Sequence, residues 1–187
     1  MRLNEIEAEY KGQVTVEWRS YLLRPEPEPR PMEKFTDYTK SWERPAGLEP
    51  RASFNAWSGE NQPPSHSLPS AIAGKVAAAQ GPEAYRAFSD QVFKAYFTEN
   101  RTISDRDVLT AIAVEAGLDG DVFTGHWDAN AETLEHDVMV DYLSAVKSEI
   151  TGVPAVVVNR SWVIPGAVET DEYRSIISQA QEQLGLA

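Results

Sequence analysis

The chain has no cysteine in its 187 residues. That absence excludes a disulfide framework, a thiolate metal site and any thiol nucleophile supplied by these residues. Basic residues are few: 17 Lys and Arg stand against 29 Asp and Glu, for a net charge of −12. Nucleic acids and anionic membranes are recognised through basic patches, so neither is expected as a partner. No run approaches the roughly 20 apolar residues of a membrane-spanning helix. The opening Met1-Arg2-Leu3-Asn4-Glu5-Ile6-Glu7 is acidic and helical in pattern rather than basic and then apolar, which predicts a cytoplasmic protein. There is no glycine-rich phosphate loop and no Gly-x-Ser-x-Gly elbow. His66, His126 and His136 have no i, i+4 spacing, so no metal centre is expected.

What is present is an ordinary globular composition, 42% hydrophobic and 25% charged, of a length that suits one domain or one domain with a large insertion. Leu3, Ile6 and Tyr10 predict a helix over 2–11, stopped at Gly12. Val14, Val16 and Trp18 alternate and predict a strand over 14–23. Arg24 to Pro31 alternates proline with charge and reads as an extended, solvated segment. Residues 32–67 are turn-rich yet carry Phe35, Tyr38, Trp42, Phe54 and Trp57. Disordered linkers are poor in aromatics, so this is read as a packed irregular excursion with short helices near 32–42 and 50–58. From Leu68 the pattern is helical to about 150, with segments opened by Pro69 and Pro82 and by Ser104-Asp105-Arg106-Asp107 as a capping box. Gly152-Val153-Pro154-Ala155-Val156-Val157-Val158 then reads as a loop and an apolar strand. Asn159-Arg160 reads as a two-residue hairpin turn, Trp162 to Pro165 as the return strand, and Thr170 to Leu184 as a closing helix.

Strand, helical block, hairpin and helix, in that order, match the C-terminal part of a thioredoxin-type fold. The motifs are Val16-Glu17-Trp18-Arg19-Ser20-Tyr21-Leu22-Leu23-Arg24-Pro25, Gly81-Pro82-Glu83-Ala84, Asn100-Arg101-Thr102-Ile103-Ser104-Asp105, Ala116-Gly117-Leu118-Asp119, Gly152-Val153-Pro154 and Ile164-Pro165-Gly166-Ala167. On these the chain resembles the DsbA-like thioredoxin family, and within it the FrnE and 2-hydroxychromene-2-carboxylate isomerase-like branch. The resemblance implies an α/β fold in which a thioredoxin-like sheet carries a large all-helical insertion. It divides the chain into 1–31 with 151–187 as an incomplete thioredoxin-like domain, 32–67 as the excursion and 68–150 as the helical insertion. The family's first strand, which ends in Cys-x-x-Cys or in a Ser, would fall before Met1. The natural protein is therefore expected to begin about 15 to 25 residues upstream, or else to be redox-dead. That strand is central in the family's sheet, so a gap, a strand swapped from a second copy, or a homodimer interface is expected beside 14–23.

No catalytic residue is assigned within the chain. The resemblance makes Pro154 a cis proline, with Gly152 and Val153 beside it, and Val153 the residue whose backbone pairs with an extended substrate. His66 is the further substrate-binding candidate, facing the active-site end. Ser65, Ser67 and Ser70 are read as helix-capping hydroxyls rather than as a Ser–His nucleophile pair. Asp119, Asp121 and Asp128 lack the spacing of a calcium loop. The substrate is expected to be a polypeptide or a small thiol. No cofactor is expected, although glutathione fits one branch. The resemblance implies a thiol–disulfide oxidoreductase whose cysteines are not in this chain. Two other readings stay open: a non-catalytic peptide-binding or chaperone-like module, and a glutathione-dependent isomerase or transferase of the same fold.

Overall fold

Leu3 and Ile6 sit one helical turn apart, and in the computed structural model they form α1 (Arg2–Glu9). The structure describes residues 2–49 and 51–185. Two compact units are present: Leu22–Val140, and Met1–Tyr21 together with Asp141–Ala187.

The Leu22–Val140 unit is helical. It contains α2 (Met32–Thr39), a 3-10 turn (Lys40–Trp42), α3 (Glu43–Leu48), α4 (Leu68–Ala79), α5 (Pro82–Phe97), α6 (Arg106–Glu115), α7 (Gly120–Ala129) and the first part of α8 (Ala131–Lys147). Proline opens both α4 and α5, where a missing N–H costs nothing. Asp105 caps α6, its carboxylate accepting from the N–H of Asp107 at 2.8 Å and of Val108 at 3.4 Å. The cap is thus Asp105 and not Ser104, which corrects the expected capping box by one residue. Asp119 caps α7 in the same way, accepting from Asp121 and Val122 at 3.0 Å. The helices bury Ile72, Val76, Phe88, Leu109, Ile112, Phe123 and Val138.

The turn-rich 32–67 stretch has a core of its own. Phe35, Trp42 and Trp57 are buried together, with Phe54, Tyr96 and Phe97 packed around them. Edge-to-face contacts at 4.9 to 6.3 Å link these rings, a geometry that aromatic quadrupoles favour. The buried polar atoms are satisfied. Thr39 Oγ1 accepts from the Trp57 N–H at 2.8 Å and donates to the Thr36 carbonyl at 2.9 Å, and Trp57 Nε1 donates to the Asn61 carbonyl at 3.0 Å. The helix expected over 50–58 is absent from the described residues 51–58. Their polar groups bond sideways instead: the Asn55 N–H donates to the Phe97 carbonyl at 2.7 Å, and the Ser58 N–H to Asn100 Oδ1 at 3.2 Å. Asn100, buried and at φ 53, also donates from Nδ2 to the Asn55 carbonyl at 3.2 Å. A segment that spends its amides on a neighbour has none left for its own helix.

The other unit joins α1 to α9 (Thr170–Gln183), the end of α8, and a sheet of β1 (Ala155–Val158) and β2 (Trp162–Pro165). The strands are antiparallel, with Ala155 opposite Pro165 and Val158 opposite Trp162. Asn159 and Arg160 both have positive φ, and the Ser161 N–H closes the turn on the Val158 carbonyl at 3.0 Å. The ladder resumes at Trp162, so the connection holds Ser161 as well as the expected pair. Residues 14–20 are extended but form no strand, contrary to the predicted strand over 14–23. Their amides are held one at a time, Val14 by the Tyr10 carbonyl at 3.0 Å, Val16 by Glu7 at 3.2 Å and Ser20 by Asp141 at 3.1 Å. Alternating side chains make a segment extended, but only a second strand makes it part of a ladder.

Trp57→Ala empties the centre of the aromatic cluster and should cost about 3–5 kcal/mol of unfolding free energy. Asp105→Ala removes one exposed cap and should cost about 1 kcal/mol. Urea unfolding of the two variants checks the ranking.

Candidate substrate-binding edge

Gly152, Val153 and Pro154 lead directly into β1, and the Val153–Pro154 peptide bond is cis. The Pro154 carbonyl accepts from the Gly166 N–H at 2.8 Å, which extends the β1–β2 ladder by one pair. In an antiparallel ladder the hydrogen-bonded pairs alternate. The backbone groups of Pro154, Val156 and Val158 therefore face β2, while those of Ala155 and Val157 face the opposite edge. Val153 precedes this set across the cis bond, and among the described residues its N–H and C=O have no hydrogen-bond partner. Among the described residues no third strand covers this edge. Val153 is 49% exposed and Val157 44%. Ala155 and Val157, with Val153 before the cis bond, thus offer backbone donors and acceptors with apolar side chains, the form an added strand requires.

The extended 14–20 segment lies in the same unit and ends on a feature that sequence reasoning missed. Asp141 is a nearly buried carboxylate. It accepts from Arg19 Nη1 at 2.8 Å and from the Ser20 N–H at 3.1 Å. Asp141, followed by Glu17, holds the Arg19 guanidinium above its ordinary pKa. The signal was available: Leu134, Val138 and Asp141 recur at i, i+4 and i+7 on α8, which places a carboxylate on the buried stripe of that helix. Beside it Tyr21 meets Tyr142 edge-to-face at 5.6 Å, and its hydroxyl donates to the Ile150 carbonyl at 3.3 Å.

His66 belongs to the Leu22–Val140 unit. Its Nδ1 lies 2.9 Å from Ser65 Oγ. Among the described residues no carboxylate orients the imidazole, so the pair lacks the third member of a nucleophilic triad. The serines around it do not cap α4 as expected. Ser67 Oγ accepts the Arg24 N–H at 3.1 Å, the Ser67 N–H donates back to the Arg24 carbonyl at 2.8 Å, and Ser70 Oγ donates to the Ser67 carbonyl at 2.9 Å. Ser67 has helical φ and ψ, a conformation in which its hydroxyl cannot reach forward to the first-turn amides. The Ser67 hydroxyl and amide instead tie Arg24, at the head of the proline-rich 24–31 segment, to the start of α4. His126 Nδ1 faces Asn130 at 3.4 Å. Among the described residues no group of His, Asp and Glu side chains is placed to hold a metal ion, and no helix is long and apolar enough to cross a membrane.

A hairpin entered through a cis proline and followed by a helix, with helices inserted ahead of it, is the C-terminal half of a thioredoxin-type fold. Residues 1–178 match the model of the DSBA-like thioredoxin domain. The chain belongs to that family. It is similar to the uncharacterized protein YwbO of Bacillus subtilis (strain 168), at 29% identity over 181 residues covering 91% of this chain and 84% of YwbO. Among solved structures it resembles the cytosolic disulfide reductase DsbM of Pseudomonas aeruginosa determined with GSH, at TM-score 0.73 and 20% identity over 99% of this chain and 91% of DsbM. It also resembles a probable DsbA oxidoreductase of Streptomyces coelicolor, at TM-score 0.71 and 20% identity over 97% of this chain and 82% of that one. These structural likenesses establish the DsbA-type fold, a thioredoxin-like α/β arrangement with a helical insertion.

Asp141→Ala leaves the Ser20 amide without its acceptor and Arg19 without its buried counter-charge. A charge-assisted hydrogen bond contributes about 1.5–3 kcal/mol, so amide exchange at Ser20 should accelerate roughly tenfold or more. Exchange at Trp57, held by Thr39, should not change. Hydrogen-exchange mass spectrometry reads both positions.

Proposed function

We propose that this chain is the substrate-holding body of a FrnE-type thiol–disulfide oxidoreductase acting in the cytosol, and that it holds an extended polypeptide by strand addition along Val153, Ala155 and Val157. The observation that carries this reading is the unpaired outer edge of β1 continued by the unpaired Val153 backbone. Backbone pairing on that edge would supply affinity independent of sequence. The exposed Val153 and Val157 side chains would favour apolar residues at alternate positions of the guest. Gly152, at the turn before Val153, is the remaining substrate-contacting residue of this unit.

Thiol–disulfide exchange proceeds by attack of a thiolate on a disulfide sulfur, with the second sulfur leaving as a thiolate. None of these 187 residues is a cysteine, so the attacking sulfur has to come from outside them. The same fact favours a second reading, in which the chain binds peptides without turnover. Intact-mass measurement of the protein from its source cells separates the two. A species heavier than 20.8 kDa whose added N-terminal sequence contains cysteine supports the oxidoreductase. A species of that mass supports the binding module.

Two outcomes are expected from the purified chain. It should not accelerate insulin reduction by dithiothreitol above the uncatalysed rate, since it has no thiolate to contribute. A blocked, cysteine-free peptide of alternating valine and serine should protect the amides of Ala155 and Val157 from hydrogen exchange at least tenfold, while Val156 and Val158 stay as they are. Protection confined to other residues, or none at millimolar peptide, would remove the strand-addition reading.

A further inference from the structure

The helical unit contains a cavity of about 510 Å³ between the proline-rich strap and the loop before α6, within the range of small-molecule sites. Pro27, Pro29 and Pro63 form apolar walls, and Arg30, Ser104 and Asp105 supply the polar groups. From this arrangement we propose that the pocket binds a small monocarboxylate with an apolar body, and that the Arg30 guanidinium is its anchor.

Arg30 is held in place from beneath. Its guanidinium carbon lies 3.9 Å from the centroid of Phe35 and 5.7 Å from that of Tyr38. Phe35 is 2% exposed and part of the aromatic cluster, so the surface on which the guanidinium rests does not move. Stacking uses the face of the group, and one side-chain hydrogen bond goes to Tyr96; of the five in-plane N–H donors the others are left for a planar acceptor, which a carboxylate matches with two parallel hydrogen bonds. Burial pushes the neighbouring Tyr96 hydroxyl up in pKa, while the Arg30 charge and its hydrogen bond to that hydroxyl pull it back, which holds the cation on that side too.

Among the described residues no acid takes up those donors. Arg2, Arg19, Arg24, Arg101, Arg106 and Arg174 each hold a carboxylate. Arg30 is half-buried, and among the described residues no carboxylate pairs with it. In a chain of net charge −12 a partly desolvated arginine left without an acid is an uncompensated charge. A bound carboxylate compensates it.

The rest of the wall narrows the ligand class. Ser104 Oγ accepts the Ser65 N–H at 3.1 Å, so its own hydroxyl proton is left to donate. Asp105 brings a negative charge whose Oδ1 is engaged by the first amides of α6. That carboxylate opposes a doubly charged anion such as phosphate and tolerates a monoanion, or a zwitterion whose ammonium group turns toward it.

The test uses the full chain labelled with nitrogen-15, phenylacetate as probe and phenylacetamide as its neutral isostere. The Arg30 Nε–H resonance should shift saturably with phenylacetate. The amide should bind at least tenfold more weakly, and inorganic phosphate should not displace the acid. Arg30→Met should reduce the acid to the affinity of the amide. The comparison of acid with amide needs no variant, so it stands even if Arg30→Met unfolds. Equal binding of acid and amide, unchanged affinity in the variant, or no saturable shift at Arg30 by about 20 mM, where a ligand of this size binds a formed pocket, would each overturn the proposal.

Discussion

Among the described residues, backbone pairing in β1 is satisfied on one side only, and the functional reading depends on that asymmetry. The ladder to β2 takes up Val156, Val158 and the Pro154 carbonyl, and it leaves Ala155 and Val157 facing outward. An uncovered edge of this kind is a liability, because any extended chain can pair with it. It is also the cheapest way to bind polypeptides of varied sequence, because the contacts are to main chain. The strand is short, and Val153 stands one residue beyond the proline that turns the chain into it, so the exposed register is limited to a few residues.

Around that edge, order is maintained by single polar contacts more than by an apolar core. Ile6 and Tyr173 are buried where α1 and α9 meet, and Arg174 pairs with Glu9 at 2.8 Å between the same helices. Asp141 holds the extended 14–20 segment through one guanidinium and one amide. The Leu22–Val140 unit is built in the opposite manner, on an aromatic cluster whose central Trp57 has its backbone N–H answered by Thr39 and its indole N–H by Asn61. Dense packing of that kind gives a rigid body on which a loosely built surface group, such as the Arg30 guanidinium on Phe35, acquires a defined orientation.

Membership of the DSBA-like thioredoxin family and the absence of cysteine have to be held together. The fold supplies the surface on which disulfide exchange is organised, while the chemistry requires a sulfur nucleophile that these residues do not contain. The two surfaces proposed above are the β1 edge for extended backbone and the Arg30 pocket for a carboxylate. Neither surface needs a redox-active group in order to bind.

Much of this was legible in the residues themselves. The helices from Leu68 onward carried a 3.6-residue apolar period and were punctuated by Pro69, Pro82, Gly117 and Asp119, all of which act within one turn of chain. The hairpin was legible because the demand for positive φ at its turn is local to Asn159 and Arg160. The absence of a thiol needed no structure at all, since composition excludes a chemistry whatever the fold. Other features turned on contacts distant in sequence. Residues 14–20 alternate like a strand, yet their amides go to Glu7 and Asp141, and residues 51–58 give theirs to Phe97 and Asn100. Whether Arg30 had an acid, and whether the outer edge of β1 had a neighbour, depended on which groups the whole chain brought near. Local periodicity and composition decided what each segment could become; the tertiary structure decided which hydrogen bonds and charges were left unanswered, because pairing belongs to two segments at once and is written in neither alone.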